Sequence, residues 1–103
     1  MIVRFYDEYL ESLYKGEQKG KPRFSGEVIF KFKRTINILK NIENSNELKL
    51  FRSLNFEQLK GGKGLKHFSV RVDLHYRLIF RLEDDQIHLS EMISIKELSN
   101  HYK

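Results

Sequence analysis

From Phe68 onward the spacing of apolar side chains changes to two, and no other feature of the chain restricts its fold as much. Phe68, Val70 and Val72 alternate with His67, Ser69, Arg71 and Asp73; after a short turn, Tyr76, Leu78, Phe80 and Leu82 alternate with Arg77, Ile79 and Arg81. Successive side chains of a strand point to opposite faces, so the pattern predicts a β-hairpin with one apolar row per strand. Glu83 to Gln86 reads as the next turn. A third strand is predicted from Ile87 to Ile95, with Ile87, Leu89, Ile93 and Ile95 on one face and Glu91 as the exception. The tail KELSNHYK reads as a last helical turn or an irregular end.

Upstream of the hairpin the period is helical. Asp7 is a helix cap for a segment over residues 7 to 15, where Tyr6, Tyr9, Leu10, Leu13 and Tyr14 fall on one face. KGEQKGKPRF, with two glycines and the only proline, is a loop. Ser25 caps a longer helix whose stripe is Ile29, Phe32, Ile36 and Leu39, with Lys31, Lys33, Arg34, Asn37 and Lys40 facing away. Ile2 to Phe5 is a short strand, and ELKLFRSL forms one short helical turn. The expected architecture is α+β: a short N-terminal strand and two helices packed on one face of a small, mainly antiparallel sheet. At 103 residues, without repeats or linkers, the chain is a single domain over 1–103.

The charge is concentrated on the hairpin. Between Lys60 and Arg81 stand six basic side chains (Lys60, Lys63, Lys66, Arg71, Arg77, Arg81) and one acid, Asp73; this local balance of +5 equals that of the whole protein. If both apolar rows face the helices, the arginines of the two strands meet on the other face. Like charges about 4 Å apart repel by about 1 to 4 kcal/mol, so such a cluster persists best with an anion between its members. Arginine also matches phosphate with two parallel hydrogen bonds. The alternative is a set of solvated strand residues whose stems cover apolar surface.

Other chemistries find little support. There is no cysteine, hence no disulfide, thiolate metal site or cysteine nucleophile, and a cytoplasmic setting is the simplest expectation. The four histidines lack metal-ligand spacing, so no metal or cofactor is expected, and His75 and His88 read as surface or turn residues. Gly61, Gly62 and Gly64 lack the spacing of a nucleotide-phosphate loop. MIVRFYDEYL meets two acids within eight residues, unlike a secretory signal, and no apolar run reaches the length of a membrane span.

FEQLKG (Phe56 to Gly61), a short basic and glycine-rich linker, then FSVRVDLHYRLIFRLEDD (Phe68 to Asp85) resembles the core signature of the RelE/ParE toxin superfamily, in particular its HigB-like, plasmid-maintenance killer branch in type II toxin–antitoxin systems. An MI-x-x-F start and a first helix ending in L-Y-x-G (Leu13, Tyr14, Gly16) extend the likeness over nearly the whole chain. The resemblance implies a metal-independent endonuclease that cuts messenger RNA on the ribosome. Its partners would be the ribosome, the mRNA and a cognate antitoxin, expected to be a helix-turn-helix protein from the adjacent gene. ParE-type members of the same superfamily instead bind DNA gyrase without cutting RNA, and that reading stays open.

Carried over by position, Arg71 falls on a strand lysine linked to proton transfer, where an arginine, which keeps its proton, is a poorer base. Arg77 matches an arginine that stabilises the transition state. Lys96 lies near a further arginine, Tyr102 near a C-terminal tyrosine that orients the scissile nucleotide, and Lys60 on a lysine used by HigB-like enzymes. Lys63, Lys66, Ser69 and Arg81 are the expected RNA contacts. The chain departs from the pattern at Glu57, where HigB-like nucleases usually place a histidine, and at the tail, which lacks their terminal D-Y-H. His67 or His101 is then the candidate replacement for the imidazole, the alternative being that both are surface residues.

Overall fold

The structure, a computed structural model, describes residues 1–59, 67–87 and 90–100. Two helices form where the caps and periodicity require them. Helix α1, Glu8–Lys15, starts where the Asp7 carboxylate accepts from the Leu10 N–H at 3.0 Å. It stops at Gly16, whose φ of 74° lies in the left-handed region open to glycine, with the Gly16 N–H turned back to Leu13 O. Helix α2, Gly26–Asn41, begins with Ser25 Oγ accepting from Val28 N–H at 3.2 Å. Among the described residues no helix is long and apolar enough to cross a membrane.

The strands are β1 (Ile2–Phe5), β2 (Glu57–Leu59), β3 (His67–Arg71), β4 (Arg77–Asp85) and β5 (Ser90–Ser99), forming one sheet in the order β1-β5-β4-β3-β2. β1 runs parallel to β5; the other neighbours are antiparallel. Both helices cover one face. Phe32, Ile36 and Leu39 of α2 are fully buried with Val70, Leu78, Phe80, Ile93 and Ile95 of the sheet, and each large apolar side chain removed from water contributes about 1.5 to 3 kcal/mol. The α+β class and the two helices packed on one face of a small, mainly antiparallel sheet are as the sequence predicts.

Three differences have physical causes. The last strand is Ser90–Ser99, not 87 to 95: Ile87 is 87% exposed in the preceding turn, and the KELS segment continues the strand instead of forming a helical turn. That extension depends on an irregularity, because Ile79 pairs with Glu97 while Phe80 pairs with Ile95, leaving Lys96 as an extra residue. The bulge resets the alternation, so Leu98 joins Ile95 on the apolar side. Strand β2 is absent from the sequence reading, being only three residues long. It is held from the core side by Phe56, stacked at 5.4 Å on Phe68 and 6.3 Å on Phe80. Finally, 45 to 54 forms two 3-10 turns, Ser45–Lys49 and Arg52–Leu54, where one was expected.

The turn between β3 and β4 explains the one acid of the charged segment. A single oxygen of Asp73 accepts from the N–H groups of His75 (2.8 Å) and Tyr76 (2.7 Å), while Val72 and Asp73 donate to Tyr76 O. Asp73→Ala removes both acceptor contacts and is expected to cost about 1 to 2 kcal/mol in urea denaturation. An unchanged midpoint would show that the turn holds without them.

Candidate active site

The register sets Arg71 directly opposite Arg77, and both point away from the helices. The arginines thus meet as the alternation requires, but the face is not open there. Arg77 is only 6% exposed and Ser69 is fully buried, whereas Arg71 is exposed. The Arg77 side chain crosses β3: its Nε donates to Ser69 Oγ at 3.0 Å, and one terminal nitrogen donates to Asn55 O at 2.5 Å and Ser69 O at 3.4 Å. The same nitrogen lies 4.0 Å from a Glu57 carboxylate oxygen on β2. One guanidinium therefore ties β4 to β3 and to both ends of the turn into β2.

Asn55 turns its carbonyl to Arg77 from a left-handed backbone conformation, φ 45°, which asparagine tolerates better than most residues. Burial pushes the Arg77 guanidinium below its ordinary value; Glu57 opposes that shift and Arg71 adds to it. Arginine nevertheless stays cationic under protein conditions. The result is a fixed positive charge beside a carboxylate.

These groups line a depression of about 140 Å³ walled by Asn55, Glu57, Arg71, Asp73, Leu74, His75 and Arg77. A phosphate with part of its sugar fits a space of that size. Five of its seven members, Glu57 and His75 among them, were not candidate site residues in the sequence. Glu57 stood out only as a departure from the family pattern, and His75 only as a turn residue. A usable signal was present for the histidine, since it sits in the short turn that joins the strands of Arg71 and Arg77.

The remaining predicted residues are placed elsewhere or lie outside the description. Ser69, an expected RNA contact, is buried and holds Arg77 instead. His67 pairs with Arg81, four residues along β3 from Arg71, about 13 Å at strand spacing. Arg81 itself lies 3.6 Å from Glu83, which also accepts from Tyr6 Oη (3.3 Å) and Ser94 Oγ (2.9 Å). Lys96 extends from the bulge with its ammonium 3.8 Å from the Tyr6 ring centre and does not line the depression. Lys60, Lys63, Lys66, His101 and Tyr102 lie outside the described residues. Among the described residues no group of three His, Cys, Asp or Glu side chains is placed to hold a metal ion.

A family model of HigB-like toxins, described as the RelE-like toxin of the type II toxin–antitoxin system HigB, matches residues 3–92. No curated protein sequence matches the chain. Among solved structures, a YoeB/ParE toxin from Agrobacterium tumefaciens superposes with a TM-score of 0.54 at 16% identity, covering 99% of this chain and 100% of that one. A YoeB dimer from Staphylococcus aureus gives 0.54 at 21% identity, covering 99% and 98%. At these identities the solved structures bear on the fold alone.

Removing the Oγ that fixes Arg77 tests the geometry. Ser69→Ala leaves the buried Nε–H without that acceptor and is expected to cost about 1 to 3 kcal/mol by chemical denaturation. A cost near zero would mean that Arg77 is not held through Ser69.

Proposed function

The chain belongs to the HigB-like toxins of type II toxin–antitoxin systems, and we propose that it acts as an endoribonuclease on ribosome-bound mRNA, with Arg77, Arg71, Glu57 and His75 as its working residues. The observation that carries this reading is the small depression in which a buried guanidinium, a second guanidinium, a carboxylate and an imidazole converge.

In-line cleavage by the ribose 2′-hydroxyl needs a base, a cation and an acid. Glu57 takes the 2′-hydroxyl proton as the 2′ oxygen bonds to phosphorus. Arg77 and Arg71 balance the negative charge that grows on the phosphorane oxygens, Arg77 being already oriented by Ser69 and Asn55. The bond from phosphorus to the 5′ oxygen then breaks and His75 supplies its proton, leaving a 2′,3′-cyclic phosphate and a 5′-hydroxyl. An imidazole suits that last role because its ring nitrogen can hold and donate a proton. Glu57 thus takes over the base function that the sequence sought in Arg71, His67 or His101.

Arg77→Ala is expected to lower cleavage about 10²- to 10³-fold, the scale for removing one preorganised charge donor. Because that variant also disturbs packing, the sharper test is Glu57→Gln, at a side chain 39% exposed. It should lower cleavage about 10²- to 10⁴-fold. Wild-type rates in Glu57→Gln would remove the base from the scheme. Loss of DNA supercoiling on induction, with mRNA intact, would transfer the toxin to a gyrase target.

A further inference from the structure

Helix α2 carries a second stripe that the core does not use. Phe30, Arg34, Asn37, Ile38 and Asn41 recur at helical spacing on the side away from Phe32, Ile36 and Leu39. Phe30 is 65% exposed, an unusual position for a phenyl ring on a helix otherwise partitioned so strictly. Across from it stands Phe51, 41% exposed, between the two 3-10 turns. Together with Ile38 and Ile42 these rings bound an apolar groove of about 580 Å³.

We propose that this groove is the docking site of the cognate antitoxin, and that the docking segment is an amphipathic helix with acids flanking its apolar face. The proposal rests on membership of the toxin family, which implies an antitoxin, and not on the nuclease scheme. Lys33 and Arg34 stand on the rim. The one acid there, Glu47, already accepts from the Glu43 N–H at 3.2 Å. The groove therefore offers apolar anchorage with positive charge beside it, and its complement is apolar with negative charge beside it. From Phe30 to Asn41 the stripe runs about 16 Å, which matches roughly three turns of a partner helix.

Other occupants fit less well. A second copy packed about a two-fold axis would present the same basic rim to itself. RNA would set phosphates against an apolar floor. The location also accounts for silencing, because Arg34 and Ile38 border a neighbouring depression of about 500 Å³ that reaches Arg71, Asp73 and Leu74. Those three residues also line the candidate active site. A chain anchored beside Phe30 thus has a continuous path to Arg71.

Calorimetric titration of the purified toxin with the full-length protein of the adjacent reading frame tests the site. Phe30→Asp and Phe51→Asp should each weaken binding at least about 30-fold, the scale of a central interface residue. Phe30→Ala should show a smaller loss. Each variant should keep its thermal melting point and still arrest growth when expressed alone, and wild-type affinity should fall as salt rises. Unchanged affinity in both aspartate variants overturns the proposal. So does a wild-type dimer that Phe30→Asp splits without altering antitoxin affinity, which would identify the occupant as a second copy. Loss of RNA cleavage in Phe30→Asp with antitoxin binding intact would overturn it in favour of a substrate surface. A wild type that binds the partner but cuts no RNA refutes the nuclease reading and leaves this one standing.

Discussion

The side of the sheet away from the helices is organised by one buried cation. Arg77 reaches from β4 over β3, where Ser69 receives its Nε–H, to the Asn55 carbonyl and the Glu57 carboxylate at the start of β2. On the opposite side the rings of Phe56, Phe68 and Phe80 stack across the same three strands. A three-residue edge strand such as β2 has few ladder hydrogen bonds of its own. It is gripped from both faces instead, by apolar stacking below and by a charged network above. A buried charge without partners would be costly, so the network is also what permits Arg77 to be there.

This dual role shaped what the sequence could disclose. Helices α1 and α2 were legible because Asp7 and Ser25 cap them and their apolar residues repeat locally. The β3–β4 hairpin was legible because alternation survives the Asp73 turn, and it correctly set Arg71 beside Arg77. What failed depended on distant partners. Arg77 and Ser69 are buried, with Asn55 and Glu57 among the partners of the guanidinium, whereas an arginine in a strand is ordinarily read as exposed. Glu57 entered the site through the pairing of β2 with β3, which sets it opposite Ser69. The extension of β5 to Ser99 was hidden by the bulge at Lys96, although the three-residue step from Ile95 to Leu98 is its trace.

The two long surfaces of the molecule divide along chemical lines. Around Arg77 the groups are polar, and Ser69, Asn55 and Glu57 fix the direction of the charge. Along α2 the groove beside Phe30 is apolar with a basic rim, suited to a protein chain and poorly suited to a phosphate. The depressions joining them place the larger, apolar surface and the smaller, charged one in series.

The burial of Arg77 also bears on how such a toxin can be disarmed by mutation. A guanidinium that is at once a strand tie and, in the proposed scheme, a working charge is not lost without disturbing β2, β3 and β4 together. Glu57, partly exposed and 4.0 Å from the guanidinium, contributes less to that tie than Ser69 and Asn55, which accept hydrogen bonds from it. Under selection for harmlessness in a gene whose product must still fold and engage its partner, escape would accumulate at the carboxylate and spare the arginine. A degenerate copy would then keep Arg77 long after it had stopped being toxic.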